Sequence, residues 1–533
     1  MNTYGVPCSY SMLEIPSTPS INNAATFSGD IRFTINQPSQ NCYIVGKSSY
    51  ISIQLQISQV RETGLPAVTL EPIINLSTAN PVTRATGSQI SVPYLCPAPC
   101  SALFQNLSCY VKGEQISNHQ NAQSVIPLYR MLYEGADEQN TVNSTNAILP
   151  MSQEDTETAI GVPYSDAVKV LVKLGILAAG AVPTMAQLGM FSKRMLYAFK
   201  NQYNFDKYKT NRLNLQVPFS LFFSDDLIHL GSGTDNKIDL VMNVDPNWFN
   251  SLIMIAGTNI DFNGVPYTVK PYGDPNYLAN QTININVTDM KLYLCRGHIA
   301  SEYVPRDKPQ YIRLKQFSPY WCQLNANGSQ NTIVAPLKTG RRITHVAIAF
   351  LTNPRVNWKS SPTDFSSGFS VVAPVPPALI GVPAAGQSFE TKNTTDGMSL
   401  IQNVSMTYCG STLPQAVYSL QADTVSSNTN DLGKAFMDYT VFTDSLRSQV
   451  GSLMNFSEWV TQQIYVYKTV QSTNMTSGNV EVIINLSANL GVPTNVLVLG
   501  LYDEYLSLHY DEHNRIDQAP ALLSAPVSPP ISA

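Results

Sequence analysis

The strongest constraint on this chain is a stretch that occurs twice. Residues 400–413 read LIQNVSMTYCGSTL and residues 103–116 read LFQNLSCYVKGEQI. Both run Gln-Asn-aliphatic-Ser, four variable residues, Gly, two more, then Leu or Ile. The matched pairs are Gln105/Gln402, Asn106/Asn403, Ser108/Ser405 and Gly113/Gly410. Each copy reads as a β-strand ending in a glycine turn. A second pair follows in the same order. Residues 237–244, KIDLVMNV, match residues 479–486, NVEVIINL, in an apolar, acidic, three apolar, Asn, apolar pattern. Related segments in a shared order indicate a duplicated unit. The interval from Gly113 to Ile238 exceeds that from Gly410 to Val480 by close to the length of a helix-like segment at about 155–208. The first unit is therefore expected to be the second plus a helical loop.

A chain of 533 residues exceeds what one hydrophobic core usually supports, so two domains are expected. Only 13% of residues are charged, about half the usual share, while 44% are hydrophobic. A normal apolar content and a small net charge, −5, argue against disorder. The 35 prolines punctuate short strands. No basic stripe is present, which argues against sequence-specific or strongly electrostatic nucleic-acid binding. The KTGRR cluster at 338–342 reads as a solvated loop. Eight cysteines are too sparse for a disulfide scaffold, and the CPAPC spacing of Cys96 and Cys100 lacks a second ligand pair for zinc. Free thiols are expected. The first twenty residues lack the basic and apolar regions of a signal peptide. The Asn-x-Ser/Thr sequons at Asn75, Asn106 and Asn403 are read as a consequence of composition. The most apolar run, residues 167–182, is short and carries Lys169 and Lys173, so no transmembrane segment is expected.

Along the chain, residues 1–28 are expected to form an irregular N-terminal arm. Alternating or apolar strand-like runs follow at 30–36, 50–60, 67–76, 89–94, 103–111, 213–223, 237–244, 251–256 and 281–294. Between the fifth and sixth lies a partly helical insertion at about 129–208. There Ser165-Asp166 can cap a helix carrying Val168, Val170, Leu171, Leu174 and Leu177. VPRDKP at 304–309 reads as a linker. A second set of strands is expected at 310–317, 342–351, 369–375, 400–409, 463–470, 480–486 and 495–509, with a polar segment at 423–456. Domain boundaries follow: 29–305 for a first sandwich, 306–514 for a second, and 515–533 for a flexible tail. The expected fold class is all-β, with two tandem eight-stranded antiparallel jelly rolls.

No catalytic, cofactor-binding or metal-binding residue is assigned. His509-Tyr-Asp-Glu-His513 fits the inverted zinc-protease pattern, but it follows a strand-like run and no further ligand lies downstream of Asp517. The glycine loop at 231–237 lacks phosphate-loop spacing and reads as a hairpin turn. His119, His229, His298 and His345 show no ligand spacing. The carboxylate pairs Asp225-Asp226 and Asp503-Glu504 read as solvated strand ends.

The chain resembles the double jelly-roll (hexon-like) major capsid proteins of the tectivirus–adenovirus lineage, which includes those of polinton-like and adinto-like viruses, virophages and large DNA viruses. Three patterns carry this beside the duplication: LQVPFSLFF at 215–223, INVTDMKLYL at 285–294, and residues 463–509 with Thr476-Ser-Gly478 before VEVIINL and LVLGLYDEYLSLHY. The resemblance spans about residues 30–511. It implies a non-enzymatic structural protein of a virion, without cofactors, forming pseudo-hexagonal homotrimers in an icosahedral shell. The implied partners are neighbouring capsomers, penton proteins and minor capsid proteins. Loops at 129–208 and 423–456 would cap the tower or meet neighbouring subunits. The alternatives are a secreted β-sandwich that binds or hydrolyses carbohydrate, and a fibre-like virion appendage.

Overall fold

A computed structural model describes residues 8–61, 90–133, 210–258, 281–299, 309–352, 401–446, 459–487 and 494–524, with short gaps inside several of these segments. Eleven strands precede residue 300: β1 (Cys8–Pro16), β2 (Asp30–Asn36), β3 (Cys42–Ile44), β4 (Tyr50–Arg61), β5 (Ile90–Leu95), β6 (Phe104–Val111), β7 (Glu114–Gln120), β8 (Thr210–Gln216), β9 (Lys237–Val244), β10 (Ile253–Thr258) and β11 (Gln281–Ile299). Nine follow: β12 (Gln310–Gln323), β13 (Gln330–Pro336), β14 (Ile343–Thr352), β15 (Ile401–Tyr408), β16 (Ser411–Leu413), β17 (Tyr465–Lys468), β18 (Asn479–Leu486), β19 (Thr494–Leu508) and β20 (Ala521–Ser524). One α-helix, α1 (Leu432–Leu446), lies between β16 and β17.

The connectivity repeats. In the first unit one sheet runs β1-β11-β4-β8 and the other β2-β9-β6-β7. In the second the sheets run β12-β19-β14-β17 and β13-β18-β15-β16. With β3, β5 and β10 set aside in the first unit and β20 in the second, each has eight strands. One sheet then holds the first, eighth, third and sixth; the other holds the second, seventh, fourth and fifth. That order is a jelly roll, and all its pairings here are antiparallel.

The sequence repeat is the hairpin of the fourth and fifth strands laid on the seventh. Val111 pairs with Glu114 across Lys112-Gly113, and Tyr408 pairs with Ser411 across Cys409-Gly410. Both turn residues have positive φ in each case: 51° and 83°, then 53° and 78°. This is a primed turn, whose twist suits a two-residue hairpin. The register against the seventh strand also repeats: Asn106 opposes Asn243, and Asn403 opposes Asn485. The repeated Gln105 and Gln402 are the residues skipped by a β-bulge at the same place in each ladder. Val244 N–H donates to the Gly29 carbonyl, and Leu486 N–H to that of Ser329, just before each second strand.

The buried face of each sheet follows the period-2 pattern. In the first roll Ile31, Phe33 and Ile35 of β2 and Ile238, Leu240 and Met242 of β9 are buried, as are Ile51, Ile53, Met290, Leu292 and Leu294 of the opposite sheet. In the second, Ile333, Val480, Val482 and Ile484 lie in one sheet and Val346, Ile348, Phe350, Val496 and Val498 in the other. Each such side chain contributes roughly 1.5–3 kcal/mol of burial. In β14 and β19 the alternation is lost, since Ala347, Ala349, Leu497, Leu499 and Leu501 are buried too. Helix α1 lies on this side, where Ser445 meets His345 at 2.8 Å. A sheet covered on both faces reads as a continuous apolar run.

Several expectations change. The stretch expected as an arm contains β1, which pairs with β11 from Cys8/Ile299 to Pro16/Lys291. Tyr10, Met12 and Glu14 are exposed, while Leu13 and Ile15 pack toward the core, so only the inner end of this strand carries an apolar face. The stretch expected as a flexible tail contains Ile516, which is buried, and β20, which pairs with β19. The strand expected at 213–223 ends at Gln216, and Ser220–Phe223 is a buried 3₁₀ turn. The second roll is not helix-free: α1 lies in its polar segment, with Leu432, Ala435, Tyr439 and Thr443 at helical spacing toward the core. The helical insertion expected at 129–208 lies outside the described residues apart from Leu132 and Tyr133. Helical residues already occur at Ala122, Val125 and Leu128, all buried. The strands expected at 67–76 and 369–375, residues 304–308 and the 305/306 boundary also lie outside the described residues. The glycine loop at 231–237 leads into β9, whose partners are β2 and β6, so it does not close a hairpin.

Gly113 and Gly410 have open space where a Cβ would sit, so only backbone strain opposes a side chain there. Gly113→Ala and Gly410→Ala are each expected to cost about 1–2 kcal/mol, measured as a lower denaturant midpoint with an unchanged slope.

Candidate assembly surfaces

Edge strands decide what this molecule can do, because they carry unpaired backbone groups. In the second roll β12 is such an edge, and the first roll meets it. Ser224 Oγ donates to the Arg313 carbonyl at 2.8 Å, and Arg313 N–H donates to Asp226 Oδ2 at 2.7 Å. The Arg313 guanidinium continues to Asp503 Oδ2 at 2.7 Å. Further along, Gln316 Nε2 donates to the Ile116 carbonyl at 3.2 Å. Ile116 is the residue skipped by a bulge in β7, itself the edge of its sheet. His119 of β7 stacks on Phe317 with ring centroids 4.0 Å apart. The Lys315 ammonium sits 4.9 Å from the Tyr133 ring centre, and burial raises the Tyr133 hydroxyl pKa.

The other end of the seam is pinned by Gln310. Its Oε1 accepts from His229 N–H at 3.2 Å, and its Nε2 donates to the Leu227 carbonyl at 2.6 Å. Tyr510 Oη reaches both Gln310 Oε1, at 2.9 Å, and the His229 carbonyl. Burial holds this phenol protonated by raising its pKa. The His229 ring stacks on Tyr43 at 4.8 Å, and its Nδ1 lies 3.2 Å from the Cys42 carbonyl. Lys112, in the first roll's hairpin turn, hydrogen-bonds the Ile516 carbonyl. The C-terminal stretch thus ties the two rolls together.

The residues considered for chemistry are dispersed over the fold. His509 Nε2 lies 3.0 Å from Ser507 Oγ at the end of β19, and Glu512 and His513 lie outside the described residues. Asp226 and Asp503, expected to be solvated, are seam residues on Arg313, while Glu504 is buried within β19. Asp225 and residues 338–342 lie outside the described residues. His119 and His229 join the seam, His298 meets Ser11 at 2.9 Å, and His345 faces α1. The cysteines 42, 109, 295, 322 and 409 are free thiols. Among the described residues no group of three His, Cys, Asp or Glu could hold a metal, and no helix is long and apolar enough to cross a membrane. Sequence reasoning missed Ser224, Gln310, Arg313 and Tyr510, because nothing local marks a side chain that bridges two sandwiches.

No protein-family model matches the chain, and no curated protein matches it. Solved structures do. The chain aligns with the Sputnik virophage structure over 99% of this chain and 90% of that chain, at 12% identity and a TM-score of 0.49. For the Faustovirus major capsid protein the figures are 95%, 92%, 10% and 0.48. For the mavirus major capsid protein they are 98%, 92%, 9% and 0.45. The fold assignment itself rests on strand order and register.

Two solution measurements probe these contacts. Tyr510→Phe removes the hydroxyl from the Gln310 junction and is expected to cost about 1–2 kcal/mol of unfolding free energy in denaturant titration. His345 has its pKa pushed down to about 4, first by burial and then by Lys468. Its Nδ1 has no hydrogen-bond partner among the described residues. The folded state therefore keeps the ring neutral while the unfolded chain takes a proton below about pH 6.5. Stability from this group is complete above pH 6.5 and is lost as pH falls to about 4, by about 3 kcal/mol. Urea midpoints of wild type and His345→Gln should diverge over that window, the wild type falling more steeply.

Proposed function

We propose that this protein is the structural subunit of an icosahedral virus shell, working by assembly rather than catalysis. The carrying observation is the duplication itself. Two jelly rolls of the same strand order and hairpin register stand in one chain and join through a polar and aromatic seam. Three such chains supply six similar sandwiches, which close into a pseudo-hexagonal ring. A low charge content suits large buried contacts between subunits, whose centres are depleted in charge. The name shared by the Faustovirus and mavirus neighbours, major capsid protein, agrees in direction with the sequence resemblance. Placement in the virion, neighbouring capsomers, penton proteins and minor capsid proteins as partners, and the division of the chain at about residue 305 belong to this proposal.

Light scattering on the purified full chain is expected to give three times the 58.5 kDa chain mass. Negative-stain electron microscopy should show hexagonal outlines or shell fragments. A monomer that persists at tens of micromolar and binds glycans would sink the proposal in favour of the carbohydrate-binding reading.

A further inference from the structure

The seam inside the chain is a template for a contact between chains. Its receiving side is the edge strand β12, where the first roll engages the Arg313 backbone and the outward side chains of Lys315 and Phe317. Its covering side is β7 and the helical residues that follow it, with His119 and Tyr133 in contact. The duplication gives each side a counterpart on the other roll. The counterpart of β12 is β1, the first strand and sheet edge of the first roll. The counterpart of β7 and its following helix is β16 and α1, the fifth strand of the second roll and the helix behind it.

Both counterparts carry exposed apolar side chains. On β1, Tyr10 is 62% exposed and Met12 46%. They alternate with Leu13 and Ile15, which face the core, so they point outward as Arg313 and Lys315 do on β12. On α1, Met437 is 58% exposed and Val441 56%, one turn apart on the face away from Ala435 and Tyr439. Val417, between β16 and α1, is 60% exposed. Eight large hydrophobic residues are exposed among those described, and five of them lie on these two surfaces. A nine-residue sheet edge flanked by apolar side chains is a surface that ordinarily ends up covered.

We infer that the β1 edge of one copy, through Tyr10 and Met12, docks on the β16–α1 surface of a second copy, through Val417, Met437 and Val441. The contact repeats in trans the seam that joins the two rolls in cis. It rests on the trimer reading above and specifies its interface. The two surfaces differ, so the contact is heterologous and forms a closed ring when the rotation between copies allows it. With one covered and one bare seam per chain, three copies leave no bare seam.

The test uses the full chain and two double variants, Tyr10→Lys with Met12→Lys and Met437→Lys with Val441→Lys. All four positions are exposed, so each variant is expected to keep the wild-type far-ultraviolet circular dichroism spectrum and a cooperative melt. Each alone should raise the concentration at the trimer midpoint at least 100-fold in light scattering. An equimolar mixture retains one intact pairing, the bare α1 of the first variant with the bare β1 of the second, and should form a species of two chains. A folded variant that trimerises like wild type overturns the inference and leaves the trimer standing. A mixture that stays monomeric also overturns it. Wild-type protein that is itself monomeric overturns the trimer reading and this one together. If the lysine pairs unfold the chain, Met12→Thr and Met437→Gln carry the same readout, with a 10-fold shift expected.

Discussion

An antiparallel sheet that does not close on itself must do something with its last strand. Here the backbone of Arg313 shows the solution. Its N–H goes to the Asp226 carboxylate and its carbonyl to the Ser224 hydroxyl, both from the other sandwich. Side chains of one roll take the place of a missing neighbouring strand. These two bonds, 2.7 and 2.8 Å long, help fix how the second roll sits against the first. The tie from Tyr510 to Gln310 and from Lys112 to Ile516 extends the same junction to the chain's C-terminal stretch.

The duplication works at the level of register. A one-residue slip in a strand moves its whole apolar set to the wrong face. The bulge at Gln105 and Gln402 and the turns at Gly113 and Gly410 hold the fourth and fifth strands in one register against the seventh, in both rolls. What differs between the rolls is the outside. The second roll has α1 packed on its sheet, so β14 and β19 are apolar on both faces. The same edge position meets the other roll at β12 and exposes Tyr10 and Met12 at β1. The proposed assembly rests on that asymmetry, since identical rolls with every edge covered would have nothing to assemble with.

Chemistry-bearing residues follow this logic. The His-x-x-Glu-His run begins at the end of a strand, and Asp226 and Asp503, which looked solvated, both meet Arg313 at the seam. Asp503 neutralises Arg313 there, and His229 presents its backbone to Gln310 and Tyr510. Charges at a junction of this kind fix geometry more than they add stability, because desolvation offsets much of their attraction.

Much of the fold was legible in the sequence where side chains alternate or a turn needs glycine. β2, β9 and β18 lie within a residue of their expected ends, and the repeat located equivalent hairpins. Strands whose apolar alternation is short or interrupted left no such mark. β1 carries serine and exposed apolar residues, β13 buries an asparagine, and β20 sits in a proline-rich stretch. Helix α1 was hidden by threonine and aspartate on its half-exposed turns. The sequence by itself determined the two sandwiches and their common register, because those depend on period-2 burial and local turn geometry. Only the tertiary structure decided which edge meets the other roll and which exposes apolar side chains, because a side chain that satisfies a backbone group some ninety residues away, as Asp226 does for Arg313, leaves no local pattern.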